Sequence, residues 1–357
     1  MATSVDWRSV PLLRPTRPPP PSFPGERVDS LESARVQTMR GLACLLLVAF
    51  HTIGSSAASG LHVADDSGYR WFANIFVDIR MPLFTFLSGL VYAYRPLRSG
   101  EALPFFGKKA RRLGVPLVVA TTVLYALRSA MHLHVPPVSR LWHIYIFPYW
   151  HLWFVQALLI VFAVLIVLES LDAMATFGRY LAIFALSLAL FLDPPFTRSV
   201  FGLQNATYLL PFFLCGLGAH RYRAVLRGKH ALIATAACFV AAQGFHTYLV
   251  VTRVHSPLDP VANRSVLNLL IGMSAALCAL QLVPTWRVVE EIGSASYPIY
   301  LYHPLFVAGV IAGAGALRPL PMGLLFVIAA IAGIAGPMVL QRAARRIPHA
   351  ELLLEGK

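Results

Sequence analysis

Arg40-Gly-Leu-Ala-Cys-Leu-Leu-Leu-Val-Ala-Phe-His51 places two ionisable side chains at the ends of an apolar run. Read as an α-helix, the step from Arg40 to His51 turns through about 1100°, three turns plus roughly 20°. Both side chains then fall on one face, separated along the axis by roughly 16 Å. A charge-capable residue inside an apolar helix is costly in lipid, so it marks function by default. For Arg40 a second reading stands beside this one, in which the residue only marks the cytoplasmic end of the helix. The pair on one face favours function.

Composition supports a bilayer setting. Of 357 residues, 57% are hydrophobic and 13% charged, with a mean hydropathy of +0.65. Soluble domains carry about 25% charged residues, so the length does not imply two soluble domains. The net charge of +14 raises nucleic acid as a partner. The basic residues alternate between loops, however, and no amphipathic, aromatic-studded stretch offers a nucleic-acid surface, so that class is excluded. Cys44, Cys215, Cys238 and Cys278 each lie inside an apolar run with no CxxC spacing. They read as packing residues rather than disulfides or metal ligands. His132 and His134 stand two apart without a third ligand at a convincing spacing, and no metal is expected.

Residues 1–34 hold Arg14-Pro15-Thr16-Arg17 and the run Pro18 to Pro21, a disordered Pro/Arg-rich cytoplasmic tail by composition. No cleavable signal peptide precedes the first apolar run, which is expected to serve as an uncleaved anchor. Ten apolar segments follow, each near the roughly 20 residues a membrane helix needs. They fall at about 40–59, 72–94, 113–131, 147–168, 177–192, 206–220, 231–251, 265–283, 295–314 and 321–341. The expected fold is all-α and polytopic, about ten transmembrane helices over a membrane domain at 35–342, with a short cytoplasmic tail at 343–357. With the N-terminus inside, 22 Lys and Arg residues fall on the cytoplasmic side and 7 on the outer side, Arg80 staying within the membrane. The positive-inside rule therefore puts both termini in the cytoplasm.

Five places break the apolar rule. Arg40 and His51 are the first. Asp78 and Arg80, in Phe76-Val-Asp-Ile-Arg-Met-Pro-Leu-Phe-Thr-Phe-Leu-Ser-Gly89, are the second. Two residues apart they diverge by about 200° on a helix, so at least one faces other helices or a water-filled cavity; a structural ion pair between helices is the other reading. Lys108-Lys109-Ala-Arg111-Arg112-Leu-Gly-Val-Pro116 is the third. Its guanidinium forks suit the phosphates of a cytosolic cofactor, while anionic lipid headgroups or plain topology explain it equally. The fourth is Pro148-Tyr-Trp-His151-Leu-Trp153-Phe-Val-Gln156, whose aromatics suit either the membrane interface or sugar stacking. The fifth is Ser296-Tyr-Pro-Ile-Tyr300-Leu-Tyr-His303-Pro304, where Ser296, Tyr300 and His303 form one polar stripe. That stripe is either a helix-packing seam or part of a site. His51 is the best general base, since an imidazole titrates near neutral pH without a large shift. No G-x-S-x-G elbow, P-loop, HExxH or dinucleotide fingerprint is present, leaving hydrolase, nucleotide and zinc-protease readings unsupported.

In this order the five places resemble the acyltransferase-3 family of membrane acyltransferases, whose members include bacterial enzymes that O-acetylate O-antigens and exopolysaccharides. The matching pieces are the Arg-x10-His spacing of Arg40 and His51, Arg80-Met-Pro-Leu-Phe with Leu-Ser-Gly89, Arg111-Arg112-Leu-Gly-Val-Pro116, His151-Leu-Trp153-Phe, and Ser296 to Pro304. The resemblance implies an acetyl-CoA-dependent O-acyltransferase of the bacterial inner membrane. Its acceptor would be a cell-surface glycan or lipid-linked saccharide, such as an exopolysaccharide. It implies essential roles for the arginine and histidine of the first helix, here Arg40 and His51. On side-chain chemistry, Arg80 is expected to join them as a catalytic residue that polarises the carbonyl or holds the oxyanion, and Arg40, Arg111 and Arg112 to bind the donor phosphates. Substrate binding would fall to Trp153, His151, Ser296, Tyr300 and His303. Some members follow the fourth-motif tryptophan with a serine and a glutamate, whereas Phe154-Val-Gln156 stands here, so no catalytic carboxylate is assigned. The rival reading is a transporter or flippase for a saccharide or lipid-linked intermediate; no internal repeat supports it.

Overall fold

The computed structural model describes residues 30–98, 100–131, 135–196, 198–226, 228–252, 264–317 and 320–357. Most of the Pro/Arg-rich tail and the His132/His134 pair lie outside the described residues. Sixteen α-helices run in order through them. The first half comprises α1 (Ser30–Ile53), α2 (Gly68–Ile75), α3 (Val77–Tyr94), α4 (Ala102–Lys109), α5 (Val115–Ala130), α6 (His143–Ile146), α7 (Trp153–Ser170) and α8 (Phe177–Leu192). The second comprises α9 (Leu203–Arg221), α10 (Arg223–Leu226), α11 (Lys229–Val251), α12 (Val266–Leu282), α13 (Arg287–Ser294), α14 (Ser296–Leu317), α15 (Met322–Ala344) and α16 (Ala350–Glu355). No strand occurs among the described residues.

Eight stretches are long and apolar enough to cross a bilayer, and α8 and α12 are shorter apolar helices. Together these ten correspond one for one with the ten apolar segments of the sequence. This is an all-α polytopic membrane protein. The first segment differs in extent. Placed at 40–59 by hydropathy, it begins at Ser30 and ends at Ile53. Arg40 therefore sits ten residues into α1, roughly 15 Å from its start, rather than at its end. The polar first two turns of α1 hide its beginning from a hydropathy reading.

The layers follow from burial. In the stretches containing α3, α9 and α1, 78%, 72% and 61% of the apolar window is buried, against 17% for both α11 and α15. The first three helices form the inner layer, and the last two turn most of their surface to lipid. Close backbone approach holds the inner layer together. A Cβ at Gly89 of α3 would collide with the Phe213 carbonyl of α9, and one at Gly216 of α9 with the Phe86 carbonyl of α3. Between helices in lipid, where no hydrophobic force drives association, small residues permit the contact that dispersion needs. The same device crosses α1 and α13: Gly41 meets Val289, and Gly293 meets Gln37. That second crossing fixes the segment carrying Arg40.

The span containing Asp78 and Arg80 is broken at Phe76, between α2 and α3. Two side chains of α11 reach the break. Gln243 Nε2 donates to the Ile75 carbonyl at 2.9 Å, and His246 Nε2 lies 3.1 Å from the Asn74 carbonyl. Asp78 Oδ2 stands 3.9 Å from the same His246 nitrogen. In lipid each unsatisfied carbonyl costs several kcal/mol, so these contacts let the break persist.

The segment expected as a C-terminal tail is folded. Helix α16 packs on α5 and α15. Gly356, with φ +66°, lies so close to the Arg111–Arg112 backbone that a Cβ there would overlap it. Gln341 and Lys357 both donate to the Glu355 carboxylate.

Candidate active site

Helix α1 is unbroken between Arg40 and His51, so the two side chains share a face as the sequence spacing requires. Each is half-buried. Different partners gather at the two ends.

At the His51 end three imidazoles converge. The ring of His51 lies 5.0 Å from that of His303 and 5.9 Å from that of His151, centroid to centroid. His151 and His303 are 5.3 Å apart. They are themselves 6% and 0% exposed, so their setting excludes bulk water. His151 enters from a 3-10 turn, Trp150–Leu152, immediately before α7. Its Nε2 lies 3.2 Å from the Leu301 carbonyl, while the Tyr300 hydroxyl donates back to the His151 carbonyl. The turn is thus tied to α14 in both directions. Tyr300 belongs to the scaffold of the cluster by this contact.

The ring of His303 is set by its neighbour in sequence. Pro304 has no N–H, so the Tyr300 carbonyl four residues earlier loses its helical donor. His303 Nδ1 lies 3.0 Å from that carbonyl and 2.8 Å from the Ile299 carbonyl. A buried carbonyl without a donor costs about 1–3 kcal/mol; the His303 ring supplies the missing one. The conjunction of His and Pro here orients a side chain.

Arg80, 5% exposed on α3, stacks its guanidinium 3.4 Å from the centroid of the Phe50 ring. Desolvated contacts of this kind contribute about 2 kcal/mol. Phe50 precedes His51, and Arg80, His303 and His151 are the charge-bearing groups that act on His51. No metal-binding group of three ligands occurs among the described residues.

At the Arg40 end the cluster is cationic. Arg40, Lys109 and Arg112 act on one another electrostatically. No ion pair joins any of the three to a carboxylate among the described residues. Lys109 holds its ammonium 4.2 Å from the Phe162 ring centroid and 5.3 Å from that of Phe105. Arg112 lies in a π-helical turn, Ala110–Gly114, between α4 and α5. Such turns are rare and concentrate at functional sites. Tyr297 of α14 pins this one by donating to the Leu113 carbonyl at 3.0 Å.

Several residues singled out from the sequence stand elsewhere. Arg111, exposed like Arg112, is not among the charges that act on Arg40 or Lys109. Trp153 packs its ring against Phe154 and Tyr208. Ser296 lies beside Cys44, its carbonyl 4.0 Å from the Cys44 sulfur, two turns of α14 from His303. Lys109, by contrast, joins Arg40 and Arg112, although its place in the basic run offers no reason to prefer it to its neighbours.

A family model for this acyltransferase domain matches residues 34–342. The chain belongs to the acyltransferase-3 family. Neither a search of curated proteins nor one of solved structures returned a match. As a member of this family the protein is a multi-pass membrane acyltransferase, and the two clusters on α1 are its candidate site.

Proposed function

We propose that this protein is an O-acyltransferase of the bacterial cytoplasmic membrane. It would move an acetyl group from acetyl-CoA to a hydroxyl of a cell-surface glycan or lipid-linked saccharide, such as an exopolysaccharide. The observation that carries this reading is the division of one helix face. Arg40, Lys109 and Arg112 gather at one end with no carboxylate of the described residues paired to them, and His51, His151, His303 and Arg80 gather at the other.

Three cations with no ion pair to a carboxylate among the described residues suit the phosphates of a nucleotide thioester, since guanidinium forks match phosphate oxygens. The roughly 16 Å between Arg40 and His51 is of the order spanned by a pantetheine arm. With its phosphates held on the cytoplasmic side, the donor presents its thioester near His51. His51 removes the proton of the acceptor hydroxyl as the oxygen attacks the thioester carbonyl carbon. Arg80 stabilises the oxyanion of the tetrahedral intermediate. Collapse breaks the C–S bond, and the departing thiolate takes the proton from the His51 imidazolium, leaving an acetyl ester and free CoA. The membrane interior excludes the water that would otherwise hydrolyse the donor.

Acetyl-radiolabelled CoA supplied to the purified protein with membrane glycan from the producing cells tests this. Label recovered in the glycan and released by mild alkali supports an O-acyltransferase. Glycan translocation without label incorporation points instead to transport.

A further inference from the structure

Two of the three clustered imidazoles have their tautomers fixed by the main chain. A carbonyl oxygen only accepts, so the ring nitrogen facing it carries the hydrogen. His303 therefore bears its hydrogen on Nδ1, towards Ile299 and Tyr300, and His151 on Nε2, towards Leu301. The opposite nitrogens, His303 Nε2 and His151 Nδ1, are bare acceptors. Both are buried with no hydrogen-bond partner. His51 meets rings on three sides, those of Phe50, His151 and His303. Among the described residues, the groups whose charge acts on it are His303, Arg80 and His151.

Distance separates the two acceptors. A straight N–H···N bond of about 2.9 Å between imidazoles puts their ring centroids about 5 Å apart. The His51–His303 separation is 5.0 Å and the His51–His151 separation 5.9 Å. Only His303 is within reach of a ring rotation of His51.

We propose that His303 is a positioning residue, whose bare Nε2 accepts the N–H of His51 and so turns the other His51 nitrogen, as a lone pair, towards the acceptor hydroxyl. The proposal rests on the reading of His51 as the base. A neutral imidazole then performs the orienting role that a carboxylate performs in a Ser-His-Asp triad. A neutral imidazole holds the N–H of His51 without adding a charge to the cluster. Because the Nδ1 hydrogen of His303 is committed to two carbonyls, its Nε2 offers an acceptor and nothing else. When His51 takes the proton, its bond to His303 becomes charge-assisted and strengthens. His151, too distant for that bond, keeps a bare nitrogen for a donor group of the substrate.

The test uses full-length protein in membranes of the producing cells, with labelled acetyl-CoA and alkali-released acetate as readout. His303→Leu should lower kcat on the order of 100-fold with the KM for acetyl-CoA unchanged. His303→Gln, which keeps a side-chain acceptor oxygen, should recover about tenfold of that loss. Combining His303→Leu with His51→Ala should cost no more than His51→Ala alone, since a residue acting through another adds nothing once that other is gone. Equal impairment by Leu and Gln would reduce His303 to packing and overturn the proposal. A raised acceptor KM with kcat intact would make His303 a substrate contact and overturn it equally. Transfer that persists in His51→Ala would instead remove the base on which the proposal stands, leaving the acyltransferase reading in place. A wild-type protein that transfers no label would remove both.

Discussion

Pro304 leaves the Tyr300 carbonyl without a helical donor, and the ring of His303, 3.0 Å away, supplies one. The two adjacent residues behave as a single device: the proline creates the vacancy that orients the imidazole. Pro304→Ala restores an amide hydrogen that competes for the same carbonyl. We expect thermal stability to hold or rise while kcat falls by about tenfold. Parallel melting curves and transfer rates check this; an unchanged kcat would show that the ring does not need the proline.

The cationic end makes a selective prediction. Arg40→Ala, Lys109→Ala and Arg112→Ala should each raise the KM for acetyl-CoA by about tenfold, the worth of one charge-assisted bond at the weak end of its range. Arg111→Ala, on the same π-turn but not among the charges that act on Arg40 or Lys109, should change it little. Donor titrations of the four variants decide the matter, and a dominant effect at Arg111 would contradict the arrangement.

At the crossing of α3 and α9, a methyl group at either Gly89 or Gly216 meets a main-chain carbonyl of the other helix. Neither backbone can yield by rotating a side chain. Gly216→Ala should therefore cost about 1–3 kcal/mol or more, visible as lost monodisperse yield in detergent and a lower melting temperature. Gly244→Ala, where a Cβ meets nothing, serves as the control and should be neutral or slightly stabilising.

Acid should loosen one local element. Burial pushes the Glu355 carboxyl up, but hydrogen bonds from Lys357 and Gln341 and the nearby charges of Lys357 and Arg345 outweigh it, so its pKa lies below the usual 4.5. A depressed folded pKa means that the stabilisation is present above 4.5 and is lost as pH falls through the lower folded value. Hydrogen exchange or proteolysis within 350–356 should accelerate on acidification below that point and recover on neutralisation. A flat profile would show that the carboxylate does not hold the segment.

Much of this arrangement is legible in the sequence, and what is not has definable causes. Hydropathy locates all ten apolar helices because each must be apolar over most of its length. It misplaces the start of α1, whose first turns are polar and lie against Leu280 and α13. The shared face of Arg40 and His51 follows from spacing within one unbroken helix. The convergence of His151 and His303 on His51 does not, because their meeting depends on how α14 and the turn before α7 pack against α1. Lys109 is hidden for a related reason. A π-turn changes the angular phase between the side chains before and after it, and nothing in Lys108-Lys109-Ala-Arg111-Arg112 announces that change.

The folded C-terminal segment bears on how this protein is handled in the laboratory. Anything joined after Lys357 leaves the molecule next to Gly356, which already abuts the Arg111–Arg112 backbone. A polyhistidine or fluorescent-protein fusion placed there would put bulk beside the proposed donor-binding cations, and a charged linker would add counter-ions to them. Donor affinities are therefore best measured on protein carrying nothing after Lys357, so that the value belongs to the protein and not to its label.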